Sequence, residues 1–327
     1  MTDIEVRNPR TGQSDYRFTP ATRPLVSATA DALRHRQPAW QALGLSGRAE
    51  ALRRFAEVIR ARRDDLVAAL VADTGRLPQP ALEVDALAPM IDLAIRFAEE
   101  VLEEEPPRTS SFPGISARAQ LVPYSLVGII SPWNFPLLLA MIDSIPAFLA
   151  GCAVLYKPSE VTPRHADVLR TCFAEVRELE KVAGIVRGAG DVGRAVVDAV
   201  DAVCFTGSVR TGRLVAEQAA GRFIPAFLEM GGKDPAIVLA SADIDRTSTV
   251  LLRASVAATG QACQSVERIY VARPIHDAFV DALVTKAASV GLNQADITRG
   301  QLGPLIFGAQ AATILDHVAD AVARGAI

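Results

Sequence analysis

The run "AVCFTGSVRTGRLVAEQAAG", residues 202–221, changes character once, and that change decides the fold. Its opening "AVCFT" is a short apolar run of the kind found in buried parallel strands. From Ser208 onward it reads as a helix, entered through a Gly-x-x-x-x-Gly turn from Gly207 to Gly212. The same alternation extends to both sides. "LVGII" (126–130), "AVLYK" (153–157) and "GIV" (184–186) come before it, and "AFLE" (226–229) and "AIVLA" (236–240) come after. Helical patterns at 165–181 and 191–200 lie between these runs. Strand and helix alternating in this way predict an α/β chain with an open, doubly wound parallel sheet.

Further out, the N-terminal third reads as helical. Residues 46–75 have Ser46 as the expected N-cap and Gly75 as the stop, with Leu52, Phe55, Ala56 and Ile59 on one face. Residues 81–105 read as a second helix, disturbed around Pro89. The proline- and serine-rich stretch that follows reads as a linker or a small β excursion.

Composition narrows the function classes. The chain has 327 residues, half of them hydrophobic and 22% charged, with a net charge of −3. This length predicts about two domains. Acids and bases are mixed along the chain, so no basic stripe points to nucleic acid. The first twelve residues lack an apolar signal core. The longest apolar stretch, 126–143, is interrupted by Pro132 and Pro136 and closed by Asp143, which makes a poor membrane span. Cys152, Cys172, Cys204 and Cys263 are scattered without paired metal spacing. No metal site and a reduced, cytoplasmic compartment are therefore expected.

In such a sheet, chemistry gathers just beyond the strand ends. After "LVGII" comes "SPWNFP", which holds Asn134 in a stiff loop; its amide could donate to an oxyanion or serve a turn. After "AVLY" comes "KPSE", where Lys157 and Glu160 suit ribose hydroxyls or a solvated surface pair. The glycine turn at 207–212 suits a pyrophosphate at a helix N-terminus, although it lacks the G-x-G-x-x-G pattern. Glu229, in "LEMGGK", could be a general base or an ion-paired carboxylate. Cys263, in "GQACQSVERIYV", could be a packed thiol or a nucleophile.

The order of these pieces is more informative than any one of them. "PWNFP", "KPSE", "FTGSxxxG", "LEMGGK" and "GQAC" follow one another along residues 132–263, and the array resembles the aldehyde dehydrogenase superfamily. "NPRTG", "VTP", "ERIYV" and "GPLI" extend the resemblance over essentially the whole chain. It implies that Cys263 is the nucleophile, that Asn134 and the Cys263 amide stabilise the oxyanion, and that Glu229 activates water. It also implies cofactor contacts from Lys157, Glu160, Ser208, Gly207, Gly212, Gly188 and Trp133. Glu160, which would repel a 2′-phosphate, tilts the expectation toward NAD, with NADP possible. The domains implied are 1–104 with 124–231 for NAD(P) binding, 105–123 as a β excursion serving oligomerisation, and 232–327 as part of a catalytic domain.

Relatives in this superfamily run well past "VADAVARGAI", so the resemblance implies a C-terminally truncated chain of doubtful activity. At full length it implies a homo-oligomer acting on a small aldehyde, without nucleic acid or membrane. Residues 131–160 are most reminiscent of a branch often labelled succinate-semialdehyde dehydrogenase. Arg253 and Arg268 are the nearest candidates for a carboxylated substrate, and each is explicable otherwise. A CoA-acylating relative and a non-catalytic cofactor-binding remnant stand as alternatives; Glu229 argues against the first.

Overall fold

The computed structural model describes residues 2–103 and 106–326. The expected boundary at 104/105, the outer limits at 1 and 327 and the last residues of the 81–105 helix fall on or against positions outside these. An antiparallel hairpin, β1 (Ile4–Arg7) and β2 (Ser14–Phe18), leads into four helices: α1 (Arg23–Gln41), α2 (Gly44–Ala61), α3 (Arg63–Thr74) and α4 (Pro78–Val101). A short exposed antiparallel pair follows, β3 (Arg108–Thr109) and β4 (Ser116–Ala117).

The alternating region then runs β5 (Leu126–Ile130), α5 (Pro136–Ala150), β6 (Ala153–Lys157), α6 (His165–Ala174), α7 (Arg177–Glu180), β7 (Ala183–Ile185), α8 (Gly190–Ala199), β8 (Ala202–Gly207), α9 (Val209–Gly221) and β9 (Ala226–Met230). Its five strands are all parallel, in the order β7-β6-β5-β8-β9. The order reverses between β5 and β8, which places a crevice at their carboxyl ends. Helices α1, α8 and α9 pack together along one face of the sheet and α5 lies on the other, backed by α2 and α4. The remainder holds β10 (Asp234–Val238), α10 (Ile244–Val256), β11 (Val266–Val271), α11 (His276–Ala288) and α12 (Gln310–Ala323), with β10 and β11 paired in parallel.

The apolar runs form strands because both of their faces are covered: every residue of β5 and β6 is buried. Gly128 is needed in β5, since a Cβ there would lie 3.0 Å from Val196 and 3.1 Å from Val200 at the end of α8. On the other face, Phe55 stacks on Phe173 at 5.1 Å, and Phe148 meets both Phe173 and Trp40 edge-on at 6.1 Å. These rings join α1, α2, α5 and α6. The last carbonyls of α5 and its cap, where the helical ladder runs out, also take side-chain donors from neighbouring helices. Trp40 Nε1 donates to Phe148 O (2.9 Å), Arg48 Nε to Leu149 O (2.9 Å) and Gln37 Nε2 to Gly151 O (2.8 Å).

Several local expectations differ from the structure. The helix expected over 46–75 is two helices, broken at Arg62, and it begins before Ser46 because Gly44, at φ +66°, turns the chain directly from α1 into α2. Gly75 ends α3 in the left-handed conformation, as a C-terminal glycine should. Pro89 lies within α4 without ending it. The helix expected over 165–181 breaks at Val176, an extended and buried residue. Strand β7 starts one residue before "GIV", and β10 starts two before "AIVLA". Among the described residues, no helix is long and apolar enough to cross a membrane.

Candidate active site

The loop after β5 runs from Ser131 to Phe135, and Pro136 opens α5. Phe135, at the N-cap, offers no side-chain oxygen to the first amides of that helix. Glu83 on α4 supplies one: its Oε2 accepts from Leu137 N and Leu138 N, both at 3.1 Å. Burial pushes this carboxyl up to about 7, while the two amides and Arg76 pull the other way. Beneath the loop, Tyr156 Oη lies 2.9 Å from Ser131 Oγ and 2.8 Å from His165 Nε2. Burial pushes His165 down to about 4, so this buried ring is neutral at pH 7.

Asn134 faces the cysteine segment. Its Nδ2 donates to the main-chain oxygen of Gln261 at 2.9 Å, two residues before Cys263. Its Oδ1 is buried and has no hydrogen-bond partner among the described residues. The segment it meets is strained: Ala258, Thr259 and Gly260 have φ of +54°, +62° and +68°. For the two non-glycine residues this costs of order 1–3 kcal/mol each. Side chains hold the turn in place. Gln261 Nε2 donates to Ala258 O (3.1 Å) and Pro304 O (3.2 Å), and its Oε1 accepts from Ile306 N (2.9 Å). Thr259 Oγ1 accepts from Gly303 N at 3.0 Å. Cys263 itself is exposed, and its thiol donates to Gln264 Oε1 at 3.0 Å.

Burial pushes the other three thiols up, Cys152 to about 11 and Cys172 and Cys204 to about 12. Glu229 is exposed on β9, paired in register with Thr206 of β8. Asp143 of α5 is near enough to feel it: burial first, and the Glu229 charge second, push Asp143 up to about 6. Among the described residues, no hydrogen bond joins Glu229 to Cys263.

The expected cofactor residues gather along the carboxyl edge of the sheet. Lys157 is buried at the end of β6, and its Nζ lies 3.0 Å from Oε2 of the half-exposed Glu160. Ser208 caps α9, its Oγ accepting from Thr211 N at 3.3 Å. Gly212 lies inside α9, beyond the turn expected to contain it, because the helix starts immediately after Ser208. The glycines answer to their protein neighbours. A Cβ would come within 2.6 Å of Phe205 at Gly207, 2.6 Å of Met230 at Gly212 and 2.1 Å of Val192 at Gly188. The Trp133 ring lies 6.2 Å from that of Phe307. Arg253 and Arg268 are exposed on α10 and β11.

Sequence reading passed over Arg76, Glu83, Asp143 and Gln261 as parts of the site. The signals were slight: an arginine directly after a helix-ending glycine, and an acid closing an apolar run. Arg76 is fully buried, and its Nη2 donates to Asn134 O. Its Nη1 lies 3.4 Å from Ala258 O, and its guanidinium stands 5.2 Å from the Phe135 ring centroid. Burial lowers its pKa to about 10, with Glu83 acting in the opposite direction. Among the described residues, no group of three or more His, Cys, Asp and Glu is arranged to hold a metal ion.

The profile of the aldehyde dehydrogenase family matches residues 1–327. A Mycolicibacterium smegmatis protein bearing the name succinate-semialdehyde dehydrogenase (NADP+) is 33% identical over 99% of this chain, which spans 64% of that relative's length. The solved structure of an Anabaena variabilis aldehyde dehydrogenase, PutA, is 48% identical, with a TM-score of 0.96 over 100% of this chain and 69% of its own. The betaine aldehyde dehydrogenase of Staphylococcus aureus, solved in complex with NAD+, is 26% identical, with a TM-score of 0.93 over 99% of this chain and 65% of its own.

Proposed function

The chain belongs to the aldehyde dehydrogenase family, and from that premise we propose that it oxidises a small aldehyde to a carboxylic acid with NAD or, less well, NADP. The observation that carries this reading is the 2.9 Å hydrogen bond from Asn134 Nδ2 to Gln261 O, which brings a fixed amide donor to the segment bearing the exposed Cys263 thiol.

Each residue has a chemical task. The Cys263 sulfur adds to the aldehyde carbon, and the carbonyl oxygen becomes an anion. Asn134 Nδ2 and the main-chain N–H of Cys263 donate to that anion. An oxidised nicotinamide dinucleotide held by Lys157, Glu160 and Ser208 would supply the hydride acceptor. Glu229 then takes a proton from the water that adds to the resulting Cys263 thioester; the acid leaves and the thiol is restored. The carboxylate of Glu229, a base able to activate water, supports hydrolysis over acyl transfer to another thiol.

The residues present suit a dinucleotide. The buried Lys157 and its partner Glu160 offer a donor and an acceptor to ribose hydroxyls. The capped N-terminus of α9 offers free amides and a favourable dipole to phosphate. Lys157 ends β6 and Ser208 follows β8, so the residues that would hold such a group stand at the carboxyl ends of two strands of one sheet. At the scale of the whole protein we propose residues 1–104 with 124–231 as the cofactor-binding unit, 105–123 as the arm used in homo-oligomer formation and 232–327 as part of the catalytic unit.

NADH formation from aldehyde and NAD tests the reading. Cys263→Ser should abolish it. Glu229→Gln should release one equivalent of NADH and then stall, because hydride loss consumes no water. A Glu229→Gln chain with neither the burst nor an acyl-enzyme would show that the carboxylate acts earlier, on Cys263 itself.

A further inference from the structure

We propose that Arg76 is a positioning residue that sets the Asn134 amide in register with Cys263. The inference rests on the thiol chemistry proposed above and adds to it a group that touches neither substrate nor cofactor. Arg76 lies between the two segments that carry the oxyanion donor and the nucleophile. One arm of its guanidinium donates to Asn134 O, and the other reaches Ala258 O at 3.4 Å. Its flat face lies over Phe135, at 5.2 Å from the ring centroid, so the side chain grips the Asn134 loop from two directions.

The choice of residue is informative. A cation buried this deeply bears a large desolvation cost, and an apolar side chain would fill the same space at less cost to stability. Glu83 is the acid that acts on it, and that carboxyl already holds the first amides of α5. Arg76 directs its two Nη groups to neutral carbonyls, while its buried Nε has no hydrogen-bond partner among the described residues. A planar fork can hold both at once in fixed geometry, whereas a lysine ammonium concentrates its donors at one point.

The consequence is geometric. Asn134 Nδ2 and the Cys263 amide have to converge on one oxygen, and a displacement of about 1 Å in such an arrangement can cost on the order of a hundredfold in rate. The Ala258–Gly260 turn is left-handed throughout and has no intrinsic preference to stay so. Arg76 and Gln261 both hold it at Ala258 O. Among the described residues, Arg76 alone ties that same oxygen to the main chain of Asn134.

Two reactions of Cys263 separate positioning from folding. With p-nitrophenyl acetate, the sulfur adds to the ester carbonyl, an oxyanion forms and p-nitrophenolate leaves. The products are the S-acetyl protein and one proton released to solvent. With iodoacetamide, the sulfur displaces iodide and no oxyanion develops. The ratio of acylation to alkylation rates therefore reads the oxyanion donors alone, and neither reaction needs a cofactor. Arg76→Met should lower the ratio tenfold or more with alkylation within twofold of wild type, and Arg76→Lys should fall between. Asn134→Ala should lower it similarly, and Arg76→Met added to Asn134→Ala should lower it no further.

An unchanged ratio in Arg76→Met overturns the proposal, as do effects that multiply in the double variant. Should Arg76→Met fail to fold, Arg76→Lys decides, and a wild-type ratio there overturns it. A wild-type chain that alkylates but never acylates overturns it too, since there would be no oxyanion donor to position. Absence of NADH formation with an intact ratio pattern would instead remove the dehydrogenase reading and leave the role of Arg76 standing.

Discussion

Glu160 shows how one side chain can be plain in sequence and still need structure to be interpreted. Its place three residues after Lys157 suggests a ribose contact, and a free carboxylate there would repel a 2′-phosphate strongly. In the structure its Oε2 lies 3.0 Å from the buried Lys157 Nζ, so the two charges largely offset each other. The carboxylate is also half-exposed and screened by solvent. Discrimination against NADP should accordingly be modest. Glu160→Gln should improve NADP binding severalfold relative to NAD, measured as the ratio of the two dissociation constants. An equal loss of both cofactors would show that Glu160 supports the loop and does not select the ribose.

Among elements, the central strands were legible and several helix starts and breaks were not. "LVGII" and "AVLYK" match β5 and β6 residue for residue, because an apolar run covered on both faces has one stable use. Ser46 looked like an N-cap, but the capping oxygen is absent at the true start of α2, where Gly44 turns the chain. At α5 the capping group is remote in sequence: Glu83 serves amides 54 and 55 residues away. No local pattern announces such a cap. It has a measurable signature, because burial pushes the Glu83 carboxyl up to about 7 from an ordinary 4.5. Between these values the folded chain binds more protons than the unfolded chain. This contribution to stability is therefore complete below pH 4.5 and is lost as pH rises through 7. Its size is on the order of 3 kcal/mol. Glu83→Gln keeps an oxygen for both amides and removes the titration, so its denaturation midpoint should vary less with pH across that window. Parallel pH profiles for the two chains would refute this origin.

Across the whole molecule, burial is uneven, and the site lies where it changes. The continuous apolar core runs from Ala21 to Ala219. Beyond Ala226, the buried apolar residues are Val238, Ala258, Phe279 and Ile306 among those described. Strands β10 and β11 form a two-stranded sheet on which Ile237 is 76% and Tyr270 54% exposed. The order of motifs made the parallel sheet and the cysteine segment legible, but composition gave no hint of this contrast, since the apolar content looks similar on both sides. Local opening follows buried contacts, so amide hydrogen exchange should fall into three classes. Amides of β5 and β6 should exchange last, at the rate of global unfolding. Those of β10 and β11 should exchange before those of the five-stranded sheet. The Gly303 and Ile306 amides should lie between, because they donate to Thr259 Oγ1 and Gln261 Oε1, and that segment is bound to the core through Asn134 and Arg76. Asn134→Ala should move those two amides into the fast class while leaving β5 and β6 unchanged. If Gly303 and Ile306 already exchange with β10 in the unaltered chain, the contacts through Asn134 and Arg76 do not couple the cysteine segment to the sheet.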